Sequence, residues 1–290
     1  MTGACSWPSA PSRPLRGRDD DREDHTVFGH DEITHFGTFG FVVLRGLLSG
    51  DEVAGLREEA RRELRAAFGD GDGDGDELPL SVDRAPFAQS LIADDPRLFQ
   101  GAADLWGTPM VPTPGLAARL APDAPWHTDH GPEVGGVNYL VHLEPRAERT
   151  GALRVLPGSH EPGYGRRVAA FMDRDPSRQG FRGRPVPYAA LETEPGDVIA
   201  FHPRLFHASE GGGTRLAWRI GYLPWPGIAD AEAMAAVRYL VADTADGDGY
   251  DRDRWPAWRE WADGPRSPSR QVAVERLELL GIDLGGRPTL

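Results

Sequence analysis

Short apolar runs separated by turn residues dominate the middle of this 290-residue chain. Each run is too short for a typical helix and is bounded by glycine, proline or aspartate, as strands often are. The clearest runs are Gly115–Leu120, Gly136–Leu143, Ala152–Leu156, Asp197–Phe201 and Arg215–Leu223. Many short strands within about 110 residues are typical of a β-sandwich or a jelly-roll barrel. The sequence therefore predicts a mainly β protein with a barrel core at about residues 110–224.

Helices are expected on either side of this core. Ser49 lies three residues before Glu52, the spacing of a capping box, and predicts a helix over 51–68. Its apolar residues recur at helical spacing, at Val53, Leu56, Ala60 and Leu64. Similar reasoning predicts a strand at Gly40–Gly46 and a short helix that begins at Asp31. Further helical segments are predicted at Pro86–Ala93, Pro96–Leu105, Asp230–Val241 and Arg270–Leu280.

Three segments have the composition of linkers or loops. Residues 1–26 are rich in proline, arginine and aspartate and contain no apolar signal segment, so we expect a disordered leader and a cytoplasmic location. The alternating glycines and aspartates of 69–76 lack the ligand pattern of a calcium loop and predict a flexible acidic linker. The Gly-, Pro- and Arg-rich segment 161–187 predicts a lid. The rest, residues 27–290, is expected to form one domain with a helical C-terminal tail.

Charge and residue usage exclude several classes of function. The chain has 45 acidic and 32 basic side chains, a net charge of −13, so neither nucleic acid nor an anionic membrane is an expected partner. Cys5 is the single cysteine, which excludes a disulfide framework. All 32 basic residues are arginine. The absence of lysine excludes Schiff-base lysine chemistry and the P-loop.

The strongest chemical signal is a set of two histidines and one carboxylate. His127 and Asp129 are two residues apart at the end of a predicted strand, so their side chains point the same way. Such a pair alone is weak evidence, and a surface ion pair would explain it equally well. His207 follows another predicted strand, and a closed barrel would return it to the first pair. Two histidines and a carboxylate form the facial triad of non-haem Fe(II) oxygenases, which leaves positions open for a 2-oxo acid and dioxygen.

A co-substrate of this kind needs a cation for its distal carboxylate. Arg215 lies on the strand after His207 and can make the bidentate pair that carboxylates favour. Arg219 is on the same face of that strand and is the second candidate. Asn138 begins another strand and is a candidate for hydrogen-bonding the co-substrate, with a strand-end polar group as the alternative.

The chain resembles the phytanoyl-CoA dioxygenase (PhyH-like) family of Fe(II)- and 2-oxoglutarate-dependent oxygenases over about residues 30–224. The segments that carry the resemblance are Gly40–Gly46, Trp126–Asp129, Gly151–His160, Pro195–His207 and Arg215–Trp218. The resemblance implies a double-stranded β-helix, the cupin-like jelly roll, with flanking helices. It also implies that His127, Asp129 and His207 bind iron and that Arg215 binds the C5 carboxylate of 2-oxoglutarate. Related halogenases lack the carboxylate ligand, so Asp129 favours hydroxylation.

We therefore expect an Fe(II)- and 2-oxoglutarate-dependent dioxygenase that uses O2 to hydroxylate or oxidatively cyclise a small molecule. The resemblance and a composition typical of a GC-rich genome suggest bacterial secondary metabolism. An oligosaccharide or aminoglycoside antibiotic, with orthoester formation, is one such substrate. A zinc-dependent hydrolase with the same triad and a non-catalytic binding protein are the alternatives. Nothing in the sequence indicates an oligomeric state.

Overall fold

The computed structural model describes residues 26–70, 75–80, 84–113, 115–120, 123–129, 135–174, 180–181, 184–225, 231, 234 and 268–279. The expected disordered leader therefore lies outside the described residues, apart from residue 26. The helix expected at Asp230–Val241 lies outside them almost entirely.

The described helices are α1 (His30–Phe39), α2 (Gly50–Phe68), α3 (Pro86–Asp94), α4 (Phe99–Trp106), α5 (Pro162–Met172) and α6 (Pro268–Leu279), with a short 3-10 turn at Glu148–Thr150. The strands are β1 (Phe41–Leu44), β2 (Asp76–Pro79), β3 (Met110–Pro112), β4 (Leu116–Leu120), β5 (Ala124–His127), β6 (Val137–His142), β7 (Leu153–Val155), β8 (Gly180–Phe181), β9 (Arg184–Pro185), β10 (Ala189–Leu191), β11 (Val198–Phe201), β12 (His207–Ser209) and β13 (Arg215–Pro224).

Two antiparallel sheets form the walls of a jelly-roll barrel, which confirms the predicted fold class. The major sheet runs β1-β11-β6-β13-β4-β2, with β3 also paired to β13. The minor sheet runs β10-β7-β12-β5, and β8 and β9 form a separate pair. Most neighbours within each sheet are distant in sequence, so residues from remote segments meet inside the barrel.

Strand alternation gives the major sheet two different faces. On β13, Trp218 and Tyr222 are fully buried on the outer face, where they join a core built with α2, α3 and α4. The inner face of the same strand carries Arg215, Ala217 and Arg219. Burial of each large outer side chain stabilises the fold by about 1.5–3 kcal/mol. This packing holds in place the sheet whose inner face carries the polar residues.

Helix α2 illustrates how local signals and tertiary packing agree. The Ser49 side chain accepts a hydrogen bond from the backbone N–H of Glu52, and the Glu52 carboxylate accepts one from the backbone N–H of Ser49. The predicted capping box is therefore present. The apolar residues predicted for one helical face are all buried against the outer side of the barrel, at Val53, Leu56, Ala60 and Leu64.

The segment 161–187 begins with a helix rather than the long loop that its composition indicated. Pro162 occupies the first turn of α5, where a missing N–H costs no hydrogen bond. Val168 and Met172 pack against Trp126 and Phe206 on the outer side of the minor sheet. This packing compensates for the low helix propensity of the glycines in α5, a contribution that the local sequence does not reveal. The role of the segment as a lid stays a prediction.

The acidic linker ends in regular structure. Asp76 is the first residue of β2, lies opposite Arg119 of β4 and forms a 2.7 Å ion pair with it. Residues 71–74 lie outside the described part of the chain. In the parts that the structure describes, we find no helix with the length and hydropathy needed to span a bilayer.

Candidate metal and co-substrate site

The barrel brings His127 and His207 together although they are far apart in the sequence. They are directly opposite each other in the antiparallel pairing of β5 with β12. Their ring centroids are 4.2 Å apart. Both side chains line the cavity inside the barrel, whereas the preceding residue of each, Trp126 and Phe206, packs on the outer side.

Asp129 completes the set just after the end of β5. Its backbone N–H donates to the carbonyl of Pro203 at 3.0 Å. Its Oδ1 lies 3.3 Å from Nε2 of His207 and 4.0 Å from Nε2 of His127. One ligand atom from each of the three residues lies within 4.8 Å of the others, which is the separation that a shared metal ion requires.

Hydrogen bonds select which nitrogen of each imidazole faces the centre. Nδ1 of His127 donates to the carbonyl of Pro125 at 2.7 Å, and Nδ1 of His207 donates to that of Leu205 at 2.8 Å. Because a carbonyl can only accept, each ring carries a proton on Nδ1, and Nε2 is the nitrogen that is placed to bind a metal. The second carboxylate oxygen of Asp129 accepts from Nδ2 of Asn138 at 2.6 Å, which leaves Oδ1 directed at the histidines.

The electrostatics favour the protonation states that bind a cation. Burial and the neighbouring His207 lower the pKa of His127, so this ring is neutral at neutral pH. Burial would raise the pKa of Asp129, but His207 and Arg219 hold it well below its usual range. Neutral imidazoles and an ionised carboxylate are the forms that coordinate a divalent ion.

A cavity of about 240 Å³ extends from this triad into the barrel. Leu140, Leu153 and Phe201 form apolar walls, and Arg215, with Ser209 and His142, lines it as well. Arg215 is 2% exposed. Its Nη1 donates to the carbonyl of Gly151 at 2.7 Å and its Nη2 to Oγ of Ser209 at 2.8 Å.

Gly151 makes room for this arginine. It has φ = +85°, and a Cβ there would lie 2.8 Å from Nη1 and Cδ of Arg215. Any other residue at this position would be strained and would displace the guanidinium. Burial lowers the pKa of Arg215, with the charge of Arg146 adding to the effect. An arginine nevertheless stays cationic in proteins.

Arg219 has different surroundings from Arg215, although both are on the inner face of β13. Its side chain is 30% exposed and forms an ion pair with Glu77 of β2. Its Nη2 lies 3.9 Å from Oδ1 of Asp129. The structure therefore places Arg219 beside the triad and Arg215 against Ser209 and Gly151.

Asn138 contacts the triad itself, since it donates to Asp129. A contact of Asn138 with the co-substrate stays a prediction. Sequence reasoning missed Ser209, although it follows His207 by two residues on β12 and both line the cavity. His142 also lines the cavity, and its Nδ1 lies 3.0 Å from Oγ1 of Thr193. Side chains alternate along β6, so the strand period predicts that His142 lies on the same face as Asn138.

The donor set fits a divalent iron ion. Two imidazoles and one carboxylate on one side of a cavity form a facial arrangement with room for further ligands. A zinc hydrolase would use a similar set, but the chain contains no His-Glu-x-x-His pattern. The buried cation of Arg215 also fits the distal carboxylate of a 2-oxo diacid.

Comparison with known proteins gives one family and a consistent set of folds. The sequence model of the phytanoyl-CoA dioxygenase (PhyH) family matches residues 36–217. No curated protein matches the chain significantly in sequence.

Among solved structures, HygX from Streptomyces hygroscopicus with nickel and 2-oxoglutarate bound has a TM-score of 0.53 and 20% identity, covering 68% of this chain and 87% of HygX. AviO1 from Streptomyces viridochromogenes Tue57 has a TM-score of 0.51 and 24% identity, covering 68% of this chain and 96% of AviO1. The epimerase SnoN in complex with Fe3+, α-ketoglutarate and nogalamycin RO has a TM-score of 0.55 and 20% identity, covering 77% and 92%.

Proposed function

The chain belongs to the phytanoyl-CoA dioxygenase (PhyH) family of non-haem Fe(II)- and 2-oxoglutarate-dependent oxygenases, and on that premise we propose that it hydroxylates or oxidatively cyclises a small molecule. One observation carries the proposal. Nε2 of His127, Nε2 of His207 and Oδ1 of Asp129 converge on one point. Each side chain is oriented by a hydrogen bond through its other polar atom, which is Nδ1 in the histidines and Oδ2 in Asp129.

In this proposal these three atoms hold the iron. When bound, Fe(II) and 2-oxoglutarate supply the oxidising chemistry by activating O2, with succinate and carbon dioxide as by-products. The protein keeps the His127 ring neutral and the Asp129 carboxylate ionised, so the metal meets no competing proton at these two groups. Asn138 fixes the rotation of the Asp129 carboxylate about its Cβ–Cγ bond, because it occupies the oxygen that does not face the histidines.

Arg215 anchors the distal carboxylate of 2-oxoglutarate. Its guanidinium is held by Gly151 and Ser209, so it meets the ligand preorganised and loses little side-chain entropy. The Ser209 hydroxyl is an additional donor at the same place. Burial strengthens the pair, because few waters compete for the charges. The apolar walls at Leu140, Leu153 and Phe201 exclude solvent from the space between the anchor and the triad.

Arg219 has a different role in this proposal. Its charge is neutralised by Glu77, and it lies beside the triad with its side chain partly exposed. A carboxylate anchor should be buried, and Arg215 meets this description better than the partly exposed Arg219. We assign Arg219 to the substrate side of the site, with Glu77 holding it in place.

For the substrate we propose a bacterial secondary metabolite, with an oligosaccharide or aminoglycoside antibiotic and orthoester formation as the specific candidate. A net charge of −13 would attract a polycationic sugar over long range. The HygX structure with hygromycin B bound and the SnoN structure in complex with nogalamycin RO support a small-molecule substrate for this fold. A cytoplasmic location is part of the same proposal.

The test is metal-dependent turnover of 2-oxoglutarate. The purified protein should release succinate when Fe(II), 2-oxoglutarate and O2 are all present, and a panel of antibiotic intermediates analysed by mass spectrometry should reveal a product heavier by one oxygen or lighter by two hydrogens. Succinate release that is absent under every condition would contradict the proposal. Zinc-dependent hydrolysis of a panel member would instead identify a hydrolase, and metabolite binding without turnover would identify a binding protein.

A further inference from the structure

The turn between β11 and β12 holds two of the three triad residues. This turn, residues 202–206, contributes the carbonyl of Pro203, which accepts from the backbone N–H of Asp129 at 3.0 Å. It also contributes the carbonyl of Leu205, which accepts from Nδ1 of His207 at 2.8 Å. A change in the shape of the 202–206 turn would therefore move the carboxylate and rotate one imidazole together.

A histidine side chain closes this turn. Nδ1 of His202 accepts from the backbone N–H of Arg204, two residues on, at 3.0 Å. The His202 carbonyl accepts from the backbone N–H of Leu205 at 2.8 Å. Asn and Asp side chains commonly make the same bond to the backbone two residues on. Nδ1 of histidine is the same number of bonds from its backbone as Oδ1 of asparagine, so His202 takes the part of an Asx turn.

The ring of His202 is fixed and kept neutral by its surroundings. It is 4% exposed and lies between Trp106 and His160, with ring centroids 5.2 and 5.3 Å away. Its backbone N–H donates to the carbonyl of Gly40 at 2.8 Å. Burial is the main cause that lowers the pKa of His202 to about 3, and the charge of Arg204 adds to the effect. A neutral ring keeps the lone pair on Nδ1 that the Arg204 N–H requires.

We propose that His202 is a positioning residue of the metal site, which sets the 202–206 turn through Nδ1 so that Pro203 and Leu205 hold Asp129 and His207 in the geometry that binds metal. The inference rests on the proposed function, because it takes Asp129 and His207 as ligands. It assigns a role in metal affinity to a side chain that is not among those that line the cavity.

A matched pair of variants isolates the acceptor atom. His202→Asn and His202→Leu remove the ring equally and have nearly the same shape, but only asparagine can accept from the Arg204 N–H. Calorimetric titration with Ni2+ alone, on full-length protein checked for folding by circular dichroism, is the readout. We expect His202→Leu to weaken nickel binding by about 10- to 100-fold, as loss of a group that orients metal ligands commonly does. His202→Asn should stay within about threefold of the wild type.

Two further measurements separate the acceptor from general packing. His202→Phe keeps a ring between Trp106 and His160 but lacks the acceptor, so it should bind nickel as weakly as His202→Leu. In steady-state assays both variants should need more Fe(II) for half-maximal succinate release, while the KM for 2-oxoglutarate changes less, because Arg215 is untouched.

The outcomes distinguish this inference from the proposed function. If the wild type binds nickel but His202→Leu and His202→Phe bind it equally well, the inference is wrong and the proposed function stands. If His202→Asn is as weak as His202→Leu, the ring matters and the acceptor does not, which also overturns it. If neither acceptor-free variant folds, His202 is a folding residue and the positioning role is overturned. If the folded wild type binds no nickel, the proposed function itself fails.

Discussion

The two faces of the major sheet are made by the same strands and have opposite character. On β13, the outer face presents Trp218 and Tyr222 to the helices and is closed to solvent. The inner face presents Arg215 and Arg219 to the cavity. The difference teaches that alternate residues of one strand have separate roles, because successive side chains point to opposite faces. Residues on the outer face stabilise the fold, and residues on the inner face form the site. If this is right, mutations on the two faces should affect different measurements.

The largest effect on stability is expected on the outer face. Trp218→Ala should reduce the free energy of unfolding by about 3–5 kcal/mol, because the fully buried indole leaves a cavity among tightly packed neighbours. Urea unfolding measures this change. The KM for 2-oxoglutarate of the protein that remains folded should stay within about twofold. A large change in this KM would show that the two faces are coupled and that the separation is wrong.

The second effect is a dependence of stability on pH. Burial lowers the pKa of His142 to about 3, as it does for His202, whereas an unfolded histidine titrates near 6.5. Between these values the unfolded chain binds more protons, so stability is fully present above pH 6.5 and is lost as the pH falls towards 3. Each histidine contributes about 1.4 kcal/mol for each pH unit in this window.

Urea unfolding from pH 7.5 to 4.5 tests this expectation on the inner face. His142→Gln cannot bind the proton in either state, so its stability should fall less steeply with decreasing pH than that of the wild type. An equal slope in both proteins would remove His142 as a cause. A wild-type stability that rises on acidification would contradict the sign of both pKa shifts.

The third effect separates the two arginines of the inner face. Arg215→Lys should raise the KM for 2-oxoglutarate at a cost of about 1.5–3 kcal/mol, because lysine cannot form the bidentate pair. Nickel affinity should be unchanged, since Arg215 is not a ligand. Arg219→Lys is the matched control and should change this KM by no more than about twofold. If only Arg219→Lys raises the KM, the anchor has been assigned to the wrong arginine.

The smallest effect is expected at the start of α2, on the outer side of the barrel. Ser49→Ala removes the side chain that caps the helix and should cost about 1 kcal/mol of stability. Thermal unfolding detects a change of this size. Nickel affinity and succinate release per folded molecule should match those of the wild type, and a change in either would mean that the helices tune the site.

Local signals explain what the sequence could predict. The capping box at Ser49, the spacing of Val53 and Leu56, and the alternation along β13 each act within a few residues. The convergence of His127, Asp129 and His207 was predictable because the first two are two residues apart at a strand end and a closed barrel returns the third to them. Features that depend on tertiary packing were not predictable in this way. Helix α5 was taken for a loop because its stabilising contacts come from the minor sheet.

The different surroundings of Arg215 and Arg219 also depend on tertiary packing. Both are on one strand face, so strand periodicity does not distinguish them, and only the family resemblance favoured Arg215. Glu77, which forms an ion pair with Arg219, lies on β2. Gly151, whose carbonyl accepts a hydrogen bond from Arg215, follows the 3-10 turn before β7. Likewise, the role proposed for His202 depends on Asp129, which follows β5 and donates its backbone N–H to Pro203 in the 202–206 turn. Only the register of the strands brings these residues together.

The central claim is that His127, Asp129 and His207 share one metal ion, and an anomalous difference map tests it most directly. Crystals grown with Fe(II) or Mn(II) under anaerobic conditions should show one strong peak, about 2.0–2.2 Å from Nε2 of both histidines and from Oδ1 of Asp129. The peak should be absent in Asp129→Ala crystals. A peak elsewhere, or no peak while the three side chains keep their arrangement, would contradict the account.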